Sequence, residues 1–428
     1  MPNKKSLAVL VAASVIIFGS LATPTPVSAA DREKVLYAFK GGKDGVWPSA
    51  SLIFDAAGNL YGTTPKGGNF RCDPYFAGCG TVFKLEPVAR GQWRKTILHT
   101  FRGTDGAYPG GGLIFDSAGN LYGTTISGGG AKGWGTVFKL SPGVHGTWTE
   151  TVLHIFNDQD GGLPAGNLIF DAAGNLYGIT QVGGKHDFGN VFKLAPGMNG
   201  KWTEIVLHSF NGNDGNNPTS ALIFDSLGNL YGSTLAGGDV NYCAPNGCGT
   251  VFKLVPGADG RWTHTVLHSF TGKDGSIPSC SLVFDTAGNL YGTTVYGGNL
   301  NTCVDYGCGT VFRMAPDANG KWTETVLHAF NGNDGSFPYA GLILDANGNL
   351  YGTTWYGTNV FKLAPGANGK WTETVLLAFN GKDGWFPGAD LVFDTSGNLY
   401  GTTEYGGKLN ACHSEYGYGC GVVFEITP

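Results

Sequence analysis

The chain has 428 residues, of which 72 are glycine, 13% are aromatic and only 14% are charged. That composition excludes a helical bundle, a coiled coil or a disordered chain and points to turn-rich β structure. A formal net charge of −5 supplies no basic surface, so nucleic acid and anionic lipid are not expected as partners.

Residues 1–30 read as a secretory signal peptide: Lys4 and Lys5, the apolar run LAVLVAASVIIFGSLA, then VSAA before a cleavage point after Ala29 or Ala30. A membrane anchor is the alternative, but the run is short and broken by glycine. No second apolar stretch follows, and no sorting tail is expected at Pro428. The expectation is a secreted or periplasmic chain with no membrane span after signal removal.

Residues 31–428 are one repeat domain. A Gly-Asn pair returns at Gly58, Gly119, Gly174, Gly228, Gly288, Gly348 and Gly397, spaced 49 to 61 residues apart. Each copy holds four strand-like segments, a to d, as in GLIFD (112–116), NLYGTT (120–125), GTVFKL (135–140) and TVLHIF (151–156). Segment a is a continuous apolar run, expected innermost and buried on both faces, whereas d begins with polar TET and suits an outer edge. Between a and b, D-x-x-G-N is hairpin chemistry: Asp accepts backbone N–H bonds and Gly takes positive φ. Between c and d lies a second hairpin, followed by a tryptophan at 93, 148, 202, 262, 322 and 371 expected on the outer rim.

The two ends decide closure. The repeat region opens with a lone d segment, VLYAF (35–39), and finishes with a, b and c, ending GVVFEI (421–426). The N-terminal strand therefore completes the last sheet, and the fold class is all-β, a seven-bladed β-propeller of four-stranded blades. An open solenoid would leave the permuted ends unexplained. A closed monomer is expected.

The run GTVFKL, a TVLHSF-like strand, G-x-D-G-x-x-P, then LIFDxxGNLYGTT and a GG pair resembles the bacterial GloVer tandem repeat of "choice-of-anchor" extracellular proteins, across the whole mature chain. The a–b portion is also similar to NHL-type and gluconolactonase-like propellers. The resemblance implies a secreted repeat protein and carries over no catalytic residue. Unlike many members, this chain is expected to lack a C-terminal anchor.

Eight of nine cysteines form close pairs in the b–c loops: Cys72 and Cys79, Cys243 and Cys248, Cys303 and Cys308, Cys412 and Cys420. In an exported chain these are expected to be disulfides, with a four-thiolate zinc site as the alternative. Cys280 stands where other copies carry small residues and reads as packing. His99, His154, His208, His268 and His328 share one place in d and are expected to hydrogen-bond within their blades, to the GTT threonines, rather than hold a metal. The d–a loop aspartates (Asp44, Asp105, Asp160, Asp214, Asp274, Asp334 and Asp383) read as turn residues, with calcium a minor alternative and no other cofactor.

Function at one place requires broken symmetry. Alternating strand direction puts the d–a and b–c loops on one face, and that face carries the unrepeated aromatics. Trp47, Trp134, Trp355, Tyr356 and Trp385 are the candidate ligand-binding residues, with aromatic platforms suited to a neutral ligand such as a glycan. The unrepeated ionisable residues there are His186, Asp187, Asp305, Asp390, Glu404, His413 and Glu415. Asp390, Glu404 and Glu415 are candidate acids for a glycoside hydrolase or lyase. A scaffold for another extracellular protein is the third reading.

Overall fold

The computed structural model describes residues 33–68, 72, 78–130, 133–303, 306–408, 410, 412 and 419–428. Seven antiparallel sheets follow one another around a ring, each in the order a-b-c-d. In the second blade these strands are Ile114–Phe115, Leu121–Thr125, Thr136–Pro142 and Trp148–Ile155. In the last blade, Glu33–Ala38 lies beside Val422–Ile426, pairing Glu33 with Ile426 and Ala38 with Val422. The ring closes as the permuted ends require. The signal segment lies outside the described residues.

Strand b carries most of the burial: Leu60–Thr64 and the five equivalent residues of every other blade are buried. Its central glycine makes room for the c-strand phenylalanine. A Cβ on Gly352 would stand 2.7 Å from Phe361 and 2.9 Å from Leu342. Each such phenylalanine also meets a fully or largely buried phenylalanine of the preceding blade edge-on, at centroid distances of 5.0 to 5.3 Å, in the pairs 39–83, 101–138, 156–192, 210–252, 270–312, 330–361 and 379–424. The hydrophobic clusters accordingly lie between blades, as where Phe39, Leu36 and Tyr400 of the last blade pack on Leu60 and Phe83 of the first.

Strand a is innermost, but it is neither continuous nor the most buried. In five blades it ladders with b over two residues, and an isolated bridge such as Val46↔Lys66 precedes that ladder. The interruption is the residue before proline, which takes positive φ in every blade: Trp47, Tyr108, Leu163, Asn217, Ile277, Phe337 and Phe386, at 53° to 62°. The conformation costs about 1–2 kcal/mol for a residue with a Cβ. Hydrogen bonds to the preceding blade hold it, including Tyr108 N–H to Cys79 C=O at 2.9 Å and Ile277 N–H to Cys248 C=O at 2.9 Å.

The seven hairpin aspartates are structural. Asp55 accepts from the backbone N–H of Ala57 and Asn59, the Asn59 amide and the Tyr61 hydroxyl, at 2.7 to 3.0 Å. Burial pushes this carboxyl up, but those hydrogen bonds together hold it below the ordinary carboxylate value. The tryptophans after the c–d hairpin are half-buried and staple neighbouring blades, as Trp148 packs on Tyr61 and Trp202 on Tyr122.

Four of the five d-strand histidines bond to the d–a loop aspartates, not to threonines; His154 lies 3.3 Å from Asp160 without a hydrogen bond. His99 Nε2 lies 3.1 Å from Asp105 Oδ2, while Thr64 and Thr81 hydroxyls bond each other at 2.8 Å. Sequence spacing hides this pairing because the two partners belong to consecutive segments that only the d–a turn folds together. Asp105 Oδ1 also caps its own turn through Arg102 N–H. In five of the seven seams the next blade adds a glutamate: Glu150, Glu204, Glu324 and Glu373, with Glu33 in the last blade; His264 stacks on His208 in a sixth and Lys95 meets Asp44 in the seventh. Each glutamate has a buried Oε1 with no hydrogen-bond partner. Burial, the largest cause, raises all five carboxyls to about 7.

Two outcomes are expected. A glutamate whose folded value lies above its unfolded value contributes stability at low pH that is lost as pH rises through about 7. Asp105, Asp214 and Asp274, held low, act only below the ordinary carboxylate range. His264 and His328, lowered chiefly by burial, oppose the trend, as does Lys95 towards pH 8, but three groups stand against six glutamates, Glu404 included. Melting temperature should therefore be higher at pH 5 than at pH 8, and changing Glu150, Glu204 and Glu324 together to Gln should flatten that slope. Gly352→Ala should destabilise the ring by about 1–3 kcal/mol through overpacking, measured by denaturant unfolding.

Candidate functional site

The strained residue and its proline deliver the next three residues of every blade to the ring axis. Around that axis lies a recess of about 210 Å³ lined by Ser49, Gly110, Ala165, Thr219, Ser279 and Gly388 and the residues that follow them. At this place six blades carry small side chains and the sixth blade carries Tyr339. Two positions on, Asn167 Oδ1 accepts from Gly112 N–H at 2.6 Å. In the last blade Asp390 accepts from Gly341 N–H at 2.6 Å and from the Ser281 hydroxyl at 3.0 Å. Gly341 leaves room for this: a Cβ there would stand 2.9 Å from the Asp390 oxygen. Asp390 thus braces three blades across the channel, with both carboxylate oxygens engaged.

The residue after the last threonine of each b segment forms a second ring around the same opening: Pro65, Ile126, Gln181, Leu235, Val295, Trp355 and Glu404. Blades six and seven again depart from the rest. Trp355, Glu404, Tyr339 and Tyr296 line one cleft of about 550 Å³, floored by Thr219, Ser279 and Gly388. Tyr339 meets Trp355 edge-on at 5.5 Å. Burial pushes the Tyr339 hydroxyl up to about 12, helped by its hydrogen bond with Tyr296 and by the nearby Glu404 charge. Glu404 is raised to about 7 by burial, with the Lys66 charge opposing. Its backbone is fixed by Glu404 N–H to Phe386 C=O at 3.1 Å, and a Cβ on Gly388 would lie 3.6 Å from Oε1. The cleft therefore presents aromatic walls, hydroxyls and one carboxyl poised between its two protonation states at neutral pH.

The sixth blade opens this side of the face. Its b–c link runs only from Thr354 to Asn359, and Gly357 stands where a buried cysteine ends the loop in four other blades. Trp355, Phe386 and Trp385 stack at 4.7 and 5.3 Å. Tyr356, half exposed at 50%, joins them and lines a smaller outer cleft of about 350 Å³ with Trp385 and Phe386.

Of the aromatic candidates, Trp355, Tyr356 and Trp385 come together here. Trp47 joins at one remove, packed on Tyr405 at 5.3 Å, which itself contacts Phe386. Trp134 is remote, in the second blade. It fills the place taken by the second cysteine in other blades, and its carbonyl receives Leu163 N–H at 2.8 Å. Glu415, Asp305 and His413 lie outside the described residues. Tyr339 was missed by counting aromatics. Reading down the position after each proline, where all other copies are small, would have found it.

The four cysteine pairs are disulfides, and Cys280 is buried against Thr293. No helix among the described residues is long and apolar enough to cross a membrane.

The sequence matches the Gloeobacter/Verrucomicrobia repeat over residues 25–129, 73–303 and 206–414. No curated protein matches it in sequence. Among solved structures it is similar to virginiamycin B lyase from Staphylococcus aureus, at 13% identity and a TM-score of 0.53, over 92% of this chain and 99% of that one. It is also similar to PorZ, a surface component of the type-IX secretion system of Porphyromonas gingivalis, at 12% identity and a TM-score of 0.50. That match covers 91% of this chain but 47% of PorZ. At such identities the likeness concerns the fold.

Titration of Glu404 beside Trp355 should be visible. Tryptophan emission is expected to shift with a midpoint near the Glu404 value of about 7, and the transition should disappear in Glu404→Gln.

Proposed function

The chain belongs to the Gloeobacter/Verrucomicrobia repeat family, and we propose that it is an exported propeller that binds a neutral glycan in the cleft between Tyr339, Trp355 and Glu404. One observation carries the reading: where the ring positions of other blades hold small or aliphatic residues, or Gln181 in the third, Tyr339, Trp355 and Glu404 stand instead and line a single cleft. Aromatic faces stack on the C–H faces of sugar rings, and the Glu404 carboxyl with the Tyr296 and Tyr339 hydroxyls supplies the few directional hydrogen bonds such a ligand needs. The four disulfides suit an oxidising compartment, which supports export through residues 1–30.

Catalysis is the second reading, favoured by the near-neutral value of Glu404, which matches what a general acid or base needs. Hydrolysis by two carboxyls is not supported by Asp390, whose oxygens are engaged by Gly341 and Ser281; a one-acid elimination fits better.

Binding to a glycan array should be saturable and lost at least about tenfold in Trp355→Ala and in Tyr339→Ala, about 1.4 kcal/mol or more, with unfolding unchanged. Trp134→Ala should bind as wild type. Binding that ignores both cleft variants would overturn the reading. Product release that vanishes in Glu404→Gln, with binding retained, would decide for the enzyme.

A further inference from the structure

The seam between the third and fourth blades differs from the others. Where neighbouring seams bring Glu150, Glu204, Glu324 or Glu373 to the His–Asp pair, the fourth blade brings His264. His208 comes from the d strand of the third blade, Asp214 from the loop between blades, and His264 from the d strand of the fourth. His208 Nε2 lies 3.1 Å from Asp214 Oδ2. The His264 ring stacks on His208 at 4.1 Å with 6° between planes. Its Nε2 is buried and has no hydrogen-bond partner. One donor atom from each of the three residues lies within 4.8 Å of the others.

We propose that His208, Asp214 and His264 form a transition-metal site that braces this seam. Two imidazoles and one carboxylate are the donor set of zinc, cobalt, nickel or copper rather than calcium or magnesium. The separation of 3.1 Å between His208 and Asp214 already suits two ligands on one ion at the usual metal–ligand distance of about 2.0–2.2 Å. The parallel rings require one movement: His264 turns about its Cβ–Cγ bond to aim Nε2 at that pair. The ion displaces the proton shared by His208 and Asp214, and gives the orphaned nitrogen a partner. The same strands meet three-donor clusters at His99–Asp105–Glu150 and His268–Asp274–Glu324, but each offers one imidazole and two carboxylates, a harder donor set.

The test uses the purified exported chain stripped with a chelator. Titration with Zn²⁺ or Co²⁺ should show one tight equivalent, a rise in melting temperature and, for Co²⁺, a visible ligand-field spectrum, with no competition from excess Ca²⁺. Two variants should weaken binding at least tenfold: His264→Gln, and His208→Leu, which copies the leucine native to this place at Leu377. His154→Leu, in a seam without a second histidine, should bind as wild type. Absence of saturable binding in the wild-type chain, or binding that survives both seam variants, would overturn the site. Three equivalents of equal affinity would overturn the role of the second histidine.

Discussion

The ring depends on one contact made seven times: a buried phenylalanine of one blade in an edge-on contact with the next blade's c-strand phenylalanine, at 5.0 to 5.3 Å. Only a glycine in strand b lets the second ring lie flat over its own sheet, and Gly62, Gly123, Gly178, Gly232, Gly292, Gly352 and Gly401 provide that space. Because every blade uses neighbours on both sides, no blade has a complete core alone. Closure by the N-terminal strand is therefore part of core formation, since Phe39 at the end of that strand supplies one of the seven contacts.

Polar groups are sorted around this apolar belt by radius. The hairpin aspartates tie the a–b turns on one face. The His–Asp pairs and orphaned glutamate oxygens occupy the outer seams, where burial raises the glutamate carboxyls. Nearest the axis, small residues line the channel because seven inner segments converge there. A large residue in that crowd must stand over the opening, which is why Tyr339 and Trp355 form a cleft while equally aromatic Trp134, farther out, replaces a disulfide.

Much of the fold was legible because repetition multiplies each weak signal. One D-x-x-G-N is a turn; seven at blade spacing, with a displaced d segment at the start, define a closed ring. The site was less legible. Glu404, Trp355, Tyr356 and Trp385 stood out as unrepeated residues on the loop face, yet Asp390 looked equally promising and proved to be bonded to Gly341 and Ser281. His264 carried no meaning until the seam placed it on His208.

The sequence by itself determined the number of blades, the order of strands, the closing strand, the disulfide partners and the face bearing the loops. These follow from periodicity and local turn chemistry, which act over a few residues. Only the tertiary structure decided which unrepeated side chains meet, because Tyr339, Trp355 and Glu404 are brought together by packing between blades. The distance from each to the axis depends on the strained turn before it and on the loop length beside it, and no local pattern records either.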